Sequence, residues 1–322
     1  MTFGRFRRVA LAGGAAVAVL LVPGCSDTGA TEAQPRNLEK TELRVGVLPI
    51  IDNAPLYIAI QKGFFAEEGL KVTPQLVQGG ALALPQLTKG GLDIAFTNYV
   101  SVFKAQADGG KFHILTEGYQ AKPNVLGIVA TSPKVTQPGD LKGKTVAVNT
   151  LDNVATLTIR SALTVNDVDP KSVKFVEVPF PGMASALQRG KVDAAWMPEP
   201  FITSAAKALG ARLVLDTAVG PTADFPVAGY VSTATFADRD PRTVAAFKRA
   251  MQRAQELAAD RQNVERVLPN YTKIDPETAV ITNVGVFPTS EDPSPVRLQR
   301  VADLMLQTSL LSARLDVKNL TE

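Results

Sequence analysis

An internal repeat, with an offset of about 100 residues, is the feature that most constrains the fold of this chain. The pattern L-x-[KR]-G-x-[LV]-D-x-A-[FW] occurs at residues 87–96 and again at 187–196. The same elements precede each copy in the same order: LRVGVL (43–48) and KTVAVN (144–149), Asp52-Asn53 and Asp152-Asn153, VTPQLV (72–77) and VKFVEV (173–178). Agreement of four elements at one offset predicts two similar lobes.

Each copy has the pattern of an α/β lobe, in which strands alternate with helices. Short apolar runs such as LRVGVL and LDIAF are typical of buried parallel strands, and stretches of helical character separate them. Gly90 and Gly190 each follow a predicted helix and supply its C-terminal stop. Parallel strands joined by crossover helices form an open twisted sheet, so we predict two Rossmann-like lobes with a ligand cleft between them.

The first 24 residues have the pattern of an export signal. Arg5, Arg7 and Arg8 precede an apolar run at 9–21, which is short for a membrane span, and the run leads to Val-Pro-Gly and Cys25. Arg7-Arg8 also permits a twin-arginine export signal. Residues 26–41 are polar and without apolar periodicity, which predicts a flexible tether.

Composition excludes several classes of function. The chain has one Cys and one His, too few for a disulfide or a Cys- or His-rich metal site, so we expect no metal and no cofactor. Removal of the three signal arginines leaves 31 of the 34 basic residues against 31 acidic ones. This balance gives no support for nucleic-acid binding.

Six strand-to-helix loops are the candidate site, because ligands bind beyond the carboxyl ends of strands in open α/β sheets. None of the six contains Lys or Arg; they are 49–54, 78–81, 97–101, 150–154, 179–183 and 197–200. An anion would therefore depend on helix N-termini and on side chains such as Thr97, Asn98, Ser101, Thr150 and Asn153.

Three acidic residues lie in these loops. Asp52 and Asp152 precede helices in the same repeat position, so each is either a helix N-cap or a ligand contact. Glu199, between two prolines in WMPEP, either binds an ammonium or amidine group or is a solvated loop carboxylate. Trp196, the single tryptophan, is either a core residue or a platform for the ligand.

Two other motifs are weak. Residues 139–145 resemble a phosphate loop, but they are one residue short and precede a strand. His113 lies in an apolar strand-like segment, which favours a structural role.

Several segments carry a resemblance to a known family: PLYIAIQKGFFAEEGLKV (55–72), GGLDIAF (90–96), DLKGKTVAV (140–148), GKVDAAW (190–196) and WMPEPF (196–201). Residues 42–318 resemble the solute-binding lipoproteins of ABC importers for nitrate, sulfonates, taurine and thiamine-pyrimidine precursors. The resemblance implies the type II periplasmic-binding-protein fold, two lobes joined by two crossover strands near 126–132 and 218–231. The expected organisation is a signal peptide (1–24), a lipidated tether (25–41), lobe 1 (42–128 plus 226–322) and lobe 2 (129–225).

The resemblance also implies function. The protein would be a monomer and not an enzyme, lipid-anchored through Cys25 to the outer face of the cytoplasmic membrane. It would capture a small sulfonate-like or zwitterionic solute, or alternatively a thiamine-pyrimidine precursor or related heterocycle, for an ABC permease and its ATPase. Implied ligand contacts are Asp52, Asn53, Tyr57, Gly79, Gly80, Asn98, Tyr99, Thr150, Asn153, Trp196 and Glu199. An enzyme of the same fold and a ligand-sensing lipoprotein are the alternatives.

Overall fold

A computed structural model describes residues 37–321, which contain two five-stranded sheets. The strands are β1 Glu42–Val47, β2 Lys71–Leu76, β3 Ile94–Asn98, β4 Phe112–Gln120, β5 Leu126–Ala130, β6 Thr145–Val148, β7 Lys174–Glu177, β8 Ala194–Pro198, β9 Arg212–Asp216 and β10 Pro226–Thr233. The predicted signal peptide, Cys25 and most of the predicted tether lie outside the described residues.

Twelve α-helices connect and cover the sheets within the described residues. They are α1 Ala54–Lys62, α2 Phe64–Glu67, α3 Gly80–Thr88, α4 Tyr99–Ala107, α5 Val154–Val165, α6 Phe180–Gln188, α7 Phe201–Leu209, α8 Ala234–Arg239, α9 Pro241–Ala258, α10 Arg261–Val267, α11 Pro276–Ile281 and α12 Pro295–Gln307. In the described part of the chain, no helix is both long and apolar enough to cross a bilayer.

The two sheets have the same topology, which confirms the two-lobe α/β prediction. The first sheet has the order β2-β1-β3-β10-β4 and the second the order β7-β6-β8-β5-β9. In each, three parallel strands come from one copy of the repeat, and the fourth strand in the order runs antiparallel to its neighbours. The sheets are therefore mixed, whereas the repeat alone predicted only parallel strands.

The chain passes between the sheets twice, between β4 and β5 and between β9 and β10. The predicted limit of lobe 1 at residue 128 falls inside β5, and this strand pairs entirely with β8 and β9 of the second sheet. The predicted boundary is therefore wrong, because an apolar run such as LGIVA predicts a strand but not the sheet to which the strand belongs.

The aspartate of the repeat has a structural role in both sheets. Asp93 accepts a hydrogen bond from the backbone N–H of Arg44 (2.8 Å), and Asp193 accepts one from the backbone N–H of Thr145 (2.9 Å). Each carboxylate thus joins the start of the third strand of its repeat to that of the first. Gly90 has a φ of 70° at the turn before β3, a conformation that favours glycine.

The last residues of the predicted tether belong to the folded body, which corrects the prediction of a flexible segment up to residue 41. Glu39 accepts hydrogen bonds from the backbone N–H groups of Arg242 and Thr243, at the start of α9. Lys40 pairs with Asp93 at 2.6 Å. A carboxylate at a helix N-terminus satisfies N–H groups that have no partner within the helix.

Candidate functional site

A cavity of about 40 Å³ lies at the ends of strands from both sheets. Its volume is roughly three times that needed by one water molecule. The polar side chains on its wall are Asp52, Thr97, Asn98 and Asn149; the apolar wall is formed by Leu48, Ile50, Phe96, Leu126, Val154, Phe180, Trp196, Pro198, Val227 and Ala228. The cavity is thus suited to a small solute with an apolar body and a few polar groups.

Asp52 is the only charged residue that lines the cavity, among those the structure describes. The residue is 2% exposed, and its Oδ1 has no hydrogen-bond partner among the described residues. Burial raises the pKa of this carboxyl to about 7, and its own backbone N–H is the one opposing influence. A buried carboxylate oxygen without a partner is costly unless a ligand or a proton supplies one.

The N-cap interpretation of Asp52 and Asp152 is wrong. Asp52 lies in the 3-10 turn Ile51–Asn53, and Asn53, at the N-cap position of α1, makes no capping bond with its side chain. In the second copy, Asn153 caps α5 through the backbone N–H of Ala155. Asp152 itself has a φ of 50° and forms an exposed ion pair with Lys104 at 3.6 Å.

The first sheet also contributes Thr97 and Asn98 at the end of β3. The Asn98 side chain caps α4 through the backbone N–H of Ser101 (2.9 Å), whereas the buried Thr97 Oγ1 has no partner. Gly80 allows α3 to approach this strand, since a Cβ there would lie 2.7 Å from Thr97 Oγ1. A Cβ at Gly79 would lie 3.5 Å from the methyl group of Thr150, which comes from the other repeat.

Trp196 serves both roles that the sequence left open. Its side chain is buried, and the indole N–H donates to the Thr217 hydroxyl at 2.9 Å. The ring lines the cavity together with Phe180, at a centroid distance of 6.1 Å. Trp196 is therefore a core residue that also forms part of the cavity wall.

Several other implied contacts have partners elsewhere and do not line the cavity. Asn53 donates to the Leu48 carbonyl and accepts from the Tyr230 hydroxyl. Tyr57 stacks on Tyr271 with ring centroids 4.0 Å apart. Tyr99 is buried beside Phe103. The structure thus brings Asp52, Gly80, Asn98 and Trp196 to the cavity, with Gly79 and Thr150 facing each other beside it; Asn53, Tyr57, Tyr99, Asn153 and Glu199 do not line it.

Glu199 is neither a solvated loop carboxylate nor part of the cavity wall. It is 0% exposed, and its two oxygens accept hydrogen bonds from the backbone and hydroxyl of Thr203 and from the backbone and side chain of Asn283. Burial raises its pKa, although these four bonds oppose the shift. The carboxylate therefore ties the start of α7 to the segment that follows α11.

Sequence reasoning missed part of the cavity wall. Asn149, just after β6, and Phe96, in the middle of β3, each stand one residue before a predicted loop, so their closeness to a loop boundary was the available signal. Leu126 and Val227 reach the cavity on β5 and β10. Their contribution depends on the path of the chain between the sheets, which the repeat does not contain.

Comparisons with known proteins agree with this architecture. The chain is 26% identical over 271 residues to a putative ABC transporter periplasmic binding protein from Brachyspira hyodysenteriae, covering 79% of this chain and 75% of the relative. It is 25% identical over 316 residues to a putative aliphatic sulfonates-binding protein from Bacillus subtilis, covering 94% and 92%. Both relatives are named as binding proteins.

A solved structure shows the same fold. The alkanesulfonate-binding protein SsuA from Xanthomonas axonopodis pv. citri, bound to MOPS, superposes with a TM-score of 0.72 at 19% identity, over 87% of this chain and 97% of that one. The family model described as NMT1/THI5 like matches residues 50–264, about two thirds of the sequence. The chain therefore belongs to the NMT1/THI5-like family.

Proposed function

We propose that this protein is the extracytoplasmic solute-binding component of an ABC importer. The observation that carries the proposal is the small cavity walled by both sheets, in which two buried polar atoms, Asp52 Oδ1 and Thr97 Oγ1, have no protein partner. Buried polar groups in folded proteins are nearly always paired, so unpaired ones in a cavity mark a ligand site. The named functions of the relatives support the same role.

Capture would proceed by closure of the two lobes over the solute. Asp52 and Thr97 belong to the first repeat, whereas Asn149 and Trp196 belong to the second, so a solute contacts all four only when the lobes are together. Because it binds one state better than the other, the solute shifts the equilibrium toward the closed state. The permease would recognise that state and accept the solute unchanged.

The proposed ligand is a small sulfonate-like or zwitterionic solute, with an aminopyrimidine-type heterocycle as the alternative. The sulfonate ligands named for two of the matched proteins support the first class. Oxygen atoms of the ligand could accept hydrogen bonds from the backbone at the start of α3, near Gly80, and from the side chains of Asn98 and Asn149. No lysine or arginine of the described chain lines it, which disfavours multiply charged anions.

We also propose that Cys25 carries the lipid anchor and that the protein acts as a monomer at the outer face of the cytoplasmic membrane. Cys25→Ala should release the protein from the membrane fraction while preserving its fold. Retention of this variant in the membrane fraction would contradict lipid anchoring.

Thermal shift with purified mature protein tests the solute-binding role. A solute at about 100 times its dissociation constant adds roughly 2.7 kcal/mol to the stability of the folded state. Asn149→Trp, which fills the cavity, should abolish the shift. The matched control is Leu151→Trp, two residues further along and 46% exposed, which should retain it. A shift that survives in Asn149→Trp would place the ligand outside this cavity.

A further inference from the structure

We propose that the solute in this cavity carries a protonated nitrogen, and that the Asp52 carboxylate is its partner. The inference rests on the proposed solute-binding function and narrows its ligand class. It selects small ammonium or amidinium compounds and excludes simple anions without such a nitrogen.

Within the described residues, Oδ1 of Asp52 receives no hydrogen bond, although the residue's own backbone N–H donates to the carboxylate. Three tyrosines lie near Asp52: Tyr119, Tyr230 and Tyr271. Burial raises the pKa of each hydroxyl most, and the charge of Asp52 raises it further. The hydroxyl of Tyr230 donates to Asn53 Oδ1 and that of Tyr271 to the Ile50 carbonyl. The Tyr119 hydroxyl accepts from the backbone N–H of Gly285. The hydrogen bonds of these tyrosines go to other groups, and Oδ1 of Asp52 has no partner among the described residues, so the cavity is where a donor for this oxygen can come from.

The charges around the cavity also favour a cation. Glu199 lies close enough to raise the pKa of Tyr119, as Asp52 does, and it adds negative charge to this region. No lysine, arginine or histidine among the described residues lines the cavity. An ionised Asp52 would therefore repel an anion at short range, with little screening because the site is buried. A cation is attracted by the same field.

The aromatic part of the cavity wall favours a cation as well. Phe96, Phe180 and Trp196 line the cavity, and aromatic ring faces attract ammonium and guanidinium-like groups. Because the indole N–H of Trp196 is already donated to Thr217, this part of the wall offers the ligand no polar donor. Aromatic rings and one carboxylate together match an organic cation.

Asp52 thus has the role that the sequence suggested for Glu199, that of partner to an ammonium or amidine group. Both are buried carboxylates near strand ends, but Glu199 accepts four hydrogen bonds from protein groups. The other polar side chains of the cavity, Thr97, Asn98 and Asn149, remain for a second polar group on the ligand. A zwitterion with a short chain and an amino-substituted heterocycle both fit this arrangement.

Matched probe pairs test the proposal by calorimetric titration at pH 8. Taurine is compared with isethionate, in which a hydroxyl replaces the ammonium group, and 4-amino-2-methylpyrimidine with 2-methylpyrimidine. In parallel, native mass spectrometry identifies any solute that co-purifies. We expect the member of one pair that carries the amino or ammonium group to bind at least 100-fold more tightly, and any co-purified solute to contain a basic nitrogen.

Two variants separate the role of Asp52 from folding. Asp52→Asn should lose at least 100-fold in affinity for the nitrogen-bearing probe, whereas Asp152→Asn, at the same position of the other repeat, should bind like the unaltered protein. For taurine, whose charges are constant between pH 5.5 and pH 8, affinity should fall about tenfold per pH unit once the pH lies below the pKa of Asp52.

Equal binding of the two members in both probe pairs, or unchanged binding of the amino-bearing probe by Asp52→Asn, would overturn the nitrogen assignment, because Asp52 would then not be the partner of a ligand nitrogen. A co-purified solute without nitrogen would overturn it as well, and would leave the solute-binding function intact. Absence of both co-purified solute and probe binding would instead count against the proposed function itself.

Discussion

The two copies of the repeat share a scaffold but use the same sequence position differently. Asp52-Asn53 and Asp152-Asn153 both follow the first strand of their sheet and precede its first long helix. In the first copy, Asp52 is buried at the cavity, and its Oδ1 has no partner in the described part of the chain. In the second, Asp152 is 50% exposed in its side chain and pairs with Lys104.

The difference comes from what covers each copy. The helices after β10 pack on the first repeat, where α1 contacts α9 and α10 and Tyr57 stacks on Tyr271. Within residues 37–321, no comparable segment covers the loop that holds Asp152, since both Asp152 and Leu151 are exposed. A duplicated sequence therefore gave one exposed loop aspartate and one buried aspartate, and the proposed binding role falls on the buried one.

The largest expected effect is the change in unfolding free energy when Asp52 is substituted. The pKa of Asp52 rises from 3.8 to about 7 on folding, so the folded state holds its proton more tightly. The destabilisation appears as pH rises from about 4 and is complete above about 7, where three pKa units correspond to about 4 kcal/mol. Asp52→Asn should raise the unfolding free energy of the ligand-free protein by up to that amount at pH 8, and much less at pH 5.

Chemical denaturation at both pH values measures this effect. Asp152→Asn is the matched control and should change the unfolding free energy by less than about 1 kcal/mol, because its carboxylate is exposed. Equal effects of the two substitutions would remove the distinction between the two copies.

The next largest difference in unfolding free energy is expected between substitutions of Asp93 and Asp193, the repeat aspartates that precede the third strand of each copy. Asp93, 6% exposed in its side chain, accepts from Lys40 and from the backbone and side chain of Arg44. Asp193 is 42% exposed, with Lys144 at 3.8 Å. Asp93→Ala should cost about 3 kcal/mol of unfolding free energy and Asp193→Ala about 1 kcal/mol. Urea unfolding of both variants checks the ratio, and a reversed order would show that burial does not set it.

Two glycines, Gly80 in α3 and Gly182 in α6, allow the same comparison at the helix that follows the second strand of each copy. A Cβ at Gly80 would lie 2.9 Å from the Cα of Thr97, so Gly80→Ala must push α3 from β3. We expect a loss of about 2 kcal/mol and weaker solute binding. Gly182, inside α6, has 3.4 Å of clearance to Val178, so Gly182→Ala should leave stability unchanged or raise it. Thermal unfolding with and without solute measures both effects, and a stable Gly80→Ala that binds normally would contradict this packing.

The smallest effect should come from the ion pair that joins the copies at the surface. Lys104 and Asp152 are 42% and 50% exposed, so Lys104→Ala should change stability by less than about 1 kcal/mol. The effect should vanish at 1 M salt, where charges are screened within about 3 Å. An effect that persists at high salt would assign Lys104 a packing role.

The repeat was sufficient to predict two sheets of the same construction, because strands and turns are determined largely by local sequence, here by apolar runs and by glycines after the helices. It also located Asp52, Gly80, Asn98 and Trp196 near the site, since the ends of parallel strands meet at one edge. It did not distinguish Asp52 from Asp152, or predict that Glu199 would be satisfied by Asn283. Those outcomes depend on the C-terminal segments that pack against the loops, and burial by distant segments leaves no local pattern.

The most direct test of the central claim is a crystal structure of the protein with the tightest-binding nitrogen compound. The account predicts that the ligand nitrogen lies within hydrogen-bonding distance of an Asp52 carboxylate oxygen, between the aromatic rings of Phe96, Phe180 and Trp196. A ligand bound there with an anionic group against Asp52, or a ligand bound at another surface, would contradict it.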